Sequence, residues 1–437
     1  MIKNIENLLK KLFPINRSIM GDGVRITLNE IKKLIPINLI EYPSGSTVYD
    51  WTIPKEWDIK DAYIKDYQGN RLVDFNSNNL HVVNYSVPIN EKMLGKELKD
   101  KIYTLESLPD AIPYRTSYYN DDWGFCMSLN QCELIKDDEI YEVHIDSNFS
   151  DGGLTIGELL IPGKNSEEVL ISTYHCHPSM ANDNLSGVVL TTFLAEYLWN
   201  NRQNLQYSYR ILFVPETIGA ISYCFHNENE MKAIDFGFVV TNVGGPGEFS
   251  YKQSVDFSHK VNEMVDASFN KLGINFKTYP FDVFGSDERQ YSSQAFNINT
   301  VSICKDKYQE FDYYHTSLDN LDFVKPEYIE KSFFVYKEVL DLVDNNQIYK
   351  NKIDHGEVML SKRGLYPKLS GMVLQPANKK SNQDKYIKQM LWLLFYSNGK
   401  RSLLEIAKLI DSDIKDLDQI AKSLLEKGVL TIEKSLS

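Results

Sequence analysis

The sequence has no long hydrophobic run, and this absence excludes several classes of protein. A membrane-spanning helix needs about 20 consecutive apolar residues, whereas "MLWLLFY" at 390–396 is among the longest apolar stretches here. The N-terminal stretch "MIKNIENLLKKLF" alternates charged residues with Leu and Ile at helical spacing. It lacks the uncharged apolar block and the small-residue cleavage site of a secretion signal. We therefore predict neither a membrane span nor a secretion signal.

Cysteine is scarce, with five residues in 437. The number is odd, the residues are scattered and no C-x-x-C pair occurs, which indicates free thiols in a reducing compartment. We therefore predict a cytoplasmic protein. The five residues are Cys126, Cys132, Cys176, Cys224 and Cys304.

Positive charge is also in short supply, since 47 Lys and Arg stand against 60 Asp and Glu, for a net charge of −13. The part from Lys350 to the end has 16 basic and 10 acidic residues, so it carries +6 and the preceding part carries −19. An acidic surface repels nucleic acid phosphates. We predict no nucleic-acid binding over most of the molecule, whereas the mildly basic C-terminal part needs its own interpretation.

The sequence has enough apolar material for a sizeable core, at 43% hydrophobic residues, and its length predicts two or three domains. From about 140 to 345, short Val-, Ile- and Phe-rich runs alternate with amphipathic helical stretches, which predicts an open α/β sheet covered on both sides. Residues 38–128 show the short alternating runs and turns of a β-rich region. We predict an α/β domain made of residues 1–37 and 129–348, an inserted β-rich domain at 38–128, and a winged-helix domain at 349–437.

Three apolar runs are predicted to be buried strands of this sheet. They are "EVLISTY" (168–174), "YRILFVP" (209–215) and "FGFVVTNV" (236–243). In open α/β sheets the chemistry takes place at the carboxyl ends of the strands. The polar residues that follow these runs are therefore the candidates for a functional site.

Two histidines, His175 and His177, follow the first strand in "TYHCHPSMANDNLSG" (173–187). Residues two apart on a continuing strand point the same way, so both imidazoles are predicted to face one site. Asp183 stands just before a predicted helix at 184–200. Its side chain either caps that helix or binds a metal together with the histidines, since imidazole with carboxylate is standard zinc chemistry.

Two later segments add polar groups of the same kind. Glu216, in "ILFVPETIGA" (211–220), ends the second strand and is either a surface carboxylate or a group that faces the same crevice. His315, in "YYHTSLDNLDFV" (313–324), stands close to Asp319 and belongs either to a hydrogen-bonded turn or to the site.

The order of these motifs, H-x-[DH], NDN-x-SG, PE, GSD and YHT-x-x-D, resembles that of the zinc aminopeptidases of the transferrin-receptor and bacterial leucyl-aminopeptidase type, over roughly residues 140–345. More narrowly, the whole chain resembles bacterial aminopeptidase-like proteins with an inserted β-rich domain and a C-terminal winged helix. The segments "VYDWTIPKEW", "IPYRTSYY", "WGFC" and "HPSMANDNLSG" carry this narrower resemblance. The resemblance implies a zinc-exopeptidase-like fold, with a mixed, mostly parallel sheet and helices on both faces.

By this resemblance, His175 takes the first histidine ligand position, Asp183 the metal-bridging aspartate and His315 the last histidine ligand. Glu216 takes the place of the general base. The physical roles agree, because a metal lowers the pKa of a bound water and a nearby carboxylate accepts its proton as the water attacks an amide carbonyl. The resemblance thus implies a zinc-dependent hydrolase of the aminopeptidase type, acting on a peptide or a small amide.

The sequence departs from the family pattern where Thr217, Thr241 and Asn242 stand in place of acidic ligands. His177 replaces an aspartate and is either a substitute ligand or the group that orients His175. Because a two-zinc cluster needs carboxylates to offset its charge, we predict one zinc ion with one position open for water. Its predicted ligands are three groups drawn from His175, His177, Asp183 and His315.

Asp287, in "FGSDERQ", has three open interpretations. It is a turn residue, a partner that orients a ligating histidine, or a group that faces a substrate amine. The aromatic residues of 48–125 are predicted to form the core of the inserted domain, with a lid over the crevice as the alternative.

The C-terminal segment "KDLDQIAKSLLEK" stands where a winged helix has its recognition helix. It mixes Asp, Glu and Lys without Arg and offers little for reading base edges. We therefore predict that this domain contacts protein or mediates homo-oligomerisation, rather than binding DNA.

Two other functions compete with the hydrolase. Glutaminyl cyclases share the architecture that the resemblance implies and work with one zinc, so acyl transfer, deacylation or cyclisation is the second hypothesis. The third is a non-catalytic binding or scaffold protein with a degenerate site, as in the transferrin receptor. The presence of Glu216, Asp183 and His315 together counts against this third hypothesis.

Overall fold

The structure is a computed structural model that describes residues 1–365 and 382–434. The chain divides into two compact units, residues 1–338 and 339–437. Parts of the predicted winged-helix domain, at 366–381 and 435–437, lie outside the described residues. None of the helices in the described part combines the length and the apolar content that a membrane crossing requires.

The first unit begins with two helices, α1 (Ile2–Leu12) and α2 (Asp22–Lys32). Each buries apolar residues three or four positions apart, which is the spacing of one helix face. Short elements follow them in chain order. These are β1 (Asn38–Pro43), β2 (Thr47–Val48), β3 (Trp51–Thr52), β4 (Glu56–Lys65), β5 (Arg71–Asp74), a 3₁₀ turn (Asn79–His81), β6 (Ile89–Leu94), α3 (Gly95–Lys99), β7 (Ile102–Tyr103), β8 (Phe125–Cys126) and α4 (Leu129–Cys132).

The rest of the first unit alternates strands and helices, as the sequence predicts. Its last helix contains the division between the two units. The elements are β9 (Ile140–Ser150), β10 (Gly153–Ile161), β11 (Glu168–Tyr174), a π-helical turn (Ala181–Ser186), α5 (Gly187–Asn201), β12 (Ser208–Val214), α6 (Ile218–His226), α7 (Glu228–Lys232), β13 (Phe236–Val239), β14 (Phe249–Lys252), α8 (Lys260–Leu272), β15 (Phe276–Tyr279), α9 (Glu288–Tyr291), β16 (Asn299–Lys305) and α10 (Pro326–Asn345).

Eight of these strands form one mixed sheet in the order β1-β10-β12-β11-β13-β16-β14-β15. Its centre, β12-β11-β13-β16, is parallel. β13 and β16 are buried along their whole length, and β11 is buried at every residue after Glu168. The predicted α/β architecture with a mixed, mostly parallel sheet is thereby confirmed, and the three predicted strands are β11, β12 and β13. The carboxyl ends of the four central strands meet at one edge, where the segments after β11 and β12 emerge.

A second, four-stranded antiparallel sheet has the order β5-β4-β9-β6. It combines strands of the predicted β-rich domain with β9, which starts at residue 140, while β1 pairs with β10 in the large sheet. Pairing between distant strands therefore crosses the predicted boundaries at 38 and 128. The division into domains at these residues stays a prediction, and strand pairing would move the inserted part to about residues 44–150.

In its described residues, the second unit contains the end of α10, further helices and a three-stranded antiparallel sheet, in the order β18 (Asn398–Ser402), β17 (Ile348–Asn351) and β19 (Leu430–Lys434). Ser402 caps the helix that follows β18, because its hydroxyl accepts the N–H of Glu405 while the Glu405 carboxylate accepts the N–H of Ser402. The elements after α10 are β17 (Ile348–Asn351), a 3₁₀ turn (Ser361–Arg363), α11 (Asn382–Tyr396), β18 (Asn398–Ser402), α12 (Leu403–Leu409), α13 (Ile414–Glu426) and β19 (Leu430–Lys434).

Candidate metal centre

Three predicted ligands, His177, Asp183 and His315, come together beyond the carboxyl end of β11. Each offers one ligand atom, and these atoms all lie within 4.8 Å of one another. The Asp183 Oδ2 atom is central, because it lies 3.0 Å from His315 Nε2 and 3.9 Å from His177 Nε2. The group therefore joins residues that are up to 138 positions apart in the chain.

The chemistry of this group fits a zinc ion. Two imidazoles and one carboxylate are a standard set of zinc ligands, and three protein ligands leave a position for water or substrate. Asp183 Oδ2 and His315 Nε2 are buried, and apart from their 3.0 Å contact with each other neither has a hydrogen-bond partner among the described residues. Buried polar atoms without partners are costly, and a cation bound between them would satisfy both.

Asp183 is held in place by the turn that carries it and by two neighbours. The Asp319 carboxylate accepts the N–H of Asn182 at 2.6 Å and the N–H of Asp183 at 2.8 Å. The Tyr174 hydroxyl donates to Asp183 Oδ1. Burial alone would raise the pKa of Asp183, but the His177 and His315 imidazoles outweigh it and lower this pKa to about 2. The site thus favours an ionised carboxylate.

His175 is not part of this group, although the resemblance implies it as the first ligand. Its N–H continues the β11 ladder by donating to the Val214 carbonyl, so its side chain and that of Tyr174 lie on opposite faces. Tyr174 reaches Asp183, and both ring nitrogens of the buried His175 lack hydrogen-bond partners. The described strand ends at Tyr174, before His177, so strand alternation does not bring the two imidazoles to one face. The assignment of His175 as a ligand stays a prediction.

Burial governs the protonation of both histidines. It lowers the pKa of His175 to about 3, with a further contribution from the Arg17 charge. It lowers the pKa of His177 to about 4, although Asp183 acts in the opposite direction. Both rings are therefore neutral near pH 7, and neutral imidazole is the form that binds metal.

Glu216 reaches the same centre from the end of β12. Its Oε2 atom lies 3.8 Å from His177 Nε2, and its backbone N–H donates to Cys176 Sγ at 3.3 Å. Desolvation raises the pKa of Glu216 well above its ordinary value, and the negative charges of Asp287 and Asp183 add to the effect. A carboxylate with a raised pKa next to a metal site is suited to accepting a proton near neutral pH.

Asp287 holds the turn that carries Glu216. Thr217 has a φ of +63°, in the left-handed region, and its N–H donates to Asp287 Oδ1 at 2.7 Å. Asp287 is fully buried and its Oδ2 atom has no hydrogen-bond partner. Burial raises the pKa of Asp287 to about 7. The contact indicates that Asp287 positions the turn that carries Glu216. The sequence had left the role of Asp287 open.

The positions that depart from the family pattern carry neutral groups. Thr241 Oγ1 lies 2.7 Å from the Tyr174 hydroxyl and donates to Asn242 Oδ1 at 2.7 Å. These side chains extend the hydrogen-bond network that holds Asp183, instead of adding carboxylates.

Arg17, in the loop between α1 and α2, also supports the site, a role that its sequence context does not predict. The guanidinium is 2% exposed. Its Nε donates to the His177 carbonyl at 2.9 Å and its Nη1 to the Leu12 carbonyl at 2.6 Å. Burial lowers the pKa of Arg17 to about 10. No local signal in "PINRSIMGDG" marks this role, because the contact joins residues 160 positions apart.

Tyr114 is a second residue that the sequence analysis did not assign to the site, although it stands in the quoted segment "IPYRTSYY". Its ring centroid lies 5.3 Å from that of His177 and 5.3 Å from that of His315. Burial raises the pKa of Tyr114 well above its ordinary value, with additional contributions from Cys176, Glu216 and Asp183.

Comparison with known families and proteins agrees with this fold. Residues 6–346 match the family described as "Domain of unknown function (DUF4910)", and residues 347–432 match a winged helix-turn-helix family. The C-terminal winged helix is therefore confirmed. The chain is 42% identical over 428 residues to a Clostridium acetobutylicum protein named "Putative polysaccharide biosynthesis protein with aminopeptidase-like domain". The match covers 98% of this chain and 96% of the relative.

Solved structures show the same architecture. A "putative peptidase" from Clostridium acetobutylicum has a TM-score of 0.86 at 41% identity, covering 98% of this chain and 96% of that one. A zinc aminopeptidase from Bacillus subtilis has a TM-score of 0.57 at 14% identity, and the match covers 78% of this chain and 93% of that one. A peptidase M28 precursor from Shewanella amazonensis has a TM-score of 0.54 at 14% identity, and the match covers 78% of this chain and 96% of that one. The two more distant structures establish the aminopeptidase-like fold.

Proposed function

The chain belongs to the DUF4910 family, and we propose that it is a metal-dependent hydrolase of the aminopeptidase type that cleaves an amide bond. One observation carries this proposal. The ligand atoms of His177, Asp183 and His315 lie within 4.8 Å of one another, and Glu216 Oε2 lies 3.8 Å from His177 Nε2. The proposal places a zinc-type ligand set and a carboxylate base at the same edge of the sheet.

His177, Asp183 and His315 would hold the ion. A bound zinc ion would lower the pKa of a water molecule and polarise the amide carbonyl. Glu216 accepts the proton of the attacking water and delivers it to the leaving nitrogen. Asp287 keeps the Glu216 turn in position through the Thr217 N–H. Asp319 and Tyr174 keep the Asp183 carboxylate oriented.

We propose that one zinc ion is bound per chain. Thr217, Thr241 and Asn242 support this count, because they are neutral where the related enzymes place acidic ligands, and a second ion needs carboxylates to balance its charge. Metal analysis of protein purified without added zinc, followed by titration, should give one equivalent. Two equivalents would contradict the count, and an absence of binding would contradict the metal centre itself.

We expect Glu216→Gln to lower turnover by about 100- to 10,000-fold, because proton transfer by a positioned base contributes about that factor. Zinc content should not change. The assay is a panel of aminoacyl and acyl amides, with and without chelator. Glu91→Gln is the matched control, since Glu91 is exposed on the small sheet. Unchanged turnover in Glu216→Gln would remove Glu216 from the mechanism.

A second candidate is the deacylation of an amide on a sugar. The observation that favours it is the name of the Clostridium acetobutylicum relative, which refers to polysaccharide biosynthesis. The same zinc and carboxylate chemistry would serve this reaction. N-acylated amino sugars therefore belong in the substrate panel. Turnover of these compounds without turnover of aminoacyl amides would favour the deacylase over the aminopeptidase.

The winged-helix unit is proposed to contact protein or a second copy of this chain, rather than DNA. On α13, Lys422 pairs with Asp418 at 2.6 Å, and Lys385 pairs with Asp416 of the same helix at 3.0 Å. These ion pairs reduce the positive charge that phosphates would require. A salt-dependent mobility shift with duplex DNA would contradict this proposal.

A cytoplasmic location is supported by the five cysteines, which are all free thiols.

A further inference from the structure

A segment of the predicted inserted domain lies directly beside the last ligand segment. Pro113 and Thr316 form an antiparallel bridge, and the Tyr114 N–H donates to the His315 carbonyl at 2.8 Å. The Ser317 N–H donates to the Ile112 carbonyl at 2.8 Å, and the Ile112 N–H donates to Ser317 Oγ at 2.9 Å. These bonds fix Tyr114 relative to His315 through the backbone.

The ring of Tyr114 packs against both imidazoles of the metal group, those of His177 and His315. Its plane makes angles of 48° with His177 and 88° with His315, and both centroid distances are 5.3 Å. The two imidazoles are themselves 5.6 Å apart. Tyr114 is 5% exposed, so the ring is desolvated together with the site. The Tyr114 ring is therefore part of the wall of the site and contacts both imidazoles that we propose as ligands.

The other side of the segment is anchored to the protein core. The Asn84 N–H donates to the Arg115 carbonyl and the Ser117 N–H donates to the Asn84 carbonyl, both at 2.9 Å. The Ser18 hydroxyl donates to Asn84 Oδ1 at 2.6 Å. A donor that is held on both sides before substrate binds costs little reorganisation during the reaction.

The Tyr114 hydroxyl has a single side-chain partner among the described residues, the Tyr118 hydroxyl at 3.1 Å. Either oxygen of this pair can be the donor. When Tyr118 donates to the Tyr114 oxygen, the Tyr114 proton is free to bind another acceptor. In that arrangement the pair leaves one phenolic O–H, that of Tyr114, available to an acceptor outside the pair.

We propose that Tyr114 is a catalytic residue whose hydroxyl donates a hydrogen bond to the oxyanion formed from the amide carbonyl, and that Tyr118 orients this hydroxyl. This inference rests on the proposed hydrolase function. The water oxygen bonds to the carbonyl carbon, and the carbonyl π electrons move onto oxygen, where Tyr114 stabilises the charge. When the C–N bond breaks, this electron pair re-forms the carbonyl and the nitrogen takes the proton from Glu216. Tyr114 keeps its own proton throughout.

Tyr114→Phe tests the proposal because it retains the ring that packs against the two imidazoles and removes only the hydroxyl. We expect kcat to fall by about 100-fold, as for the loss of one oxyanion donor, while KM and zinc affinity change by less than about 3-fold. Tyr85→Phe is the matched control, since the buried Tyr85 hydroxyl donates to the Lys55 carbonyl instead. A kcat unchanged in Tyr114→Phe, while Glu216→Gln abolishes turnover, would overturn the role of Tyr114 alone.

A binding measurement decides the proposal even if no substrate is turned over. Inorganic phosphate, as a tetrahedral anion, is titrated into the zinc-loaded full-length protein. We expect its Kd to rise by about tenfold in Tyr114→Phe and in Tyr118→Phe, but not in Tyr85→Phe, because one hydrogen bond to a charged group is worth about this factor or more. Equal phosphate affinity in all variants would overturn the proposal. Tyr114-dependent binding without any hydrolysis would support the donor and contradict the hydrolase.

Discussion

The imidazole of His177 lies within 4 Å of two carboxylates, those of Asp183 and Glu216, and its ring is packed against Tyr114 and Tyr174. The imidazole of His175, two residues earlier, is equally buried but has no hydrogen-bond partner. Since the two side chains are of the same type, their surroundings determine their roles. Charge complementarity favours His177 as the histidine that binds the ion.

We expect His177→Ala to lower zinc affinity by about 100-fold or more, because it removes one of three ligands, and His175→Ala to change it by less than about tenfold. Competition with a chromophoric chelator measures both constants. Thermal unfolding of each variant in chelator is the control, since both substitutions leave a cavity. A larger loss in His175→Ala than in His177→Ala would reverse the assignment.

At the scale of the elements, the segment 315–319 organises the centre. It contributes His315, its Asp319 carboxylate accepts two backbone N–H groups of the π-helical turn 181–186, and its backbone pairs with the segment 112–114. Three stretches from distant parts of the chain are thereby fixed to one another. The metal group exists because these backbone contacts form, and the ligand residue types alone do not bring it about.

Asp319→Ala removes both of the hydrogen bonds that its carboxylate accepts. Because each of the two buried N–H groups would lose its acceptor, at a cost of about 1–3 kcal/mol, we expect the free energy of unfolding to fall by about 3 kcal/mol, together with a loss of zinc affinity. Denaturant titration measures the first effect and chelator competition the second. Asp322→Ala is the control, since Asp322 is fully exposed three residues away and should change stability by about 0.5 kcal/mol or less. Equal effects of the two substitutions would contradict the anchoring role.

At the scale of the whole molecule, the metal group links folding to ion binding. Its residues, His177, Asp183 and His315, come from two segments of the first unit that are more than 130 positions apart, so the group does not exist in the unfolded chain. A ligand that binds only the folded state stabilises it by about 2.7 kcal/mol at 100 times its Kd and by about 1.4 kcal/mol more for each further tenfold in concentration. The ion should therefore act on the stability of the first unit as a whole.

Zinc should raise the midpoint of thermal unfolding of the wild-type chain, by a similar increment for each tenfold increase in zinc concentration above the Kd. The same titration on His177→Ala should give a much smaller shift, and excess chelator should return the wild-type protein to its original midpoint. Differential scanning calorimetry measures these shifts. An equal shift in the wild type and in His177→Ala would indicate that the ion binds elsewhere.

Much of the architecture follows from sequence periodicity. The runs at 168–174, 209–215 and 236–243 become β11, β12 and β13, because apolar residues in short β-branched runs can be buried only in a covered sheet. The polar residues after them, including Glu216, had to emerge at the carboxyl edge of the sheet. These conclusions depend only on local order along the chain.

The sequence by itself therefore determined the α/β architecture, the winged helix and the edge of the sheet where the polar residues converge. Only the tertiary structure decided which imidazole reaches Asp183, that β9 pairs with β4 and that Tyr114 packs against both His177 and His315. The physical reason is that periodicity specifies which face of an element is buried. The tertiary packing of the whole chain determines the direction of side chains beyond a strand end. It also determines the contacts between segments that are 100 or more residues apart.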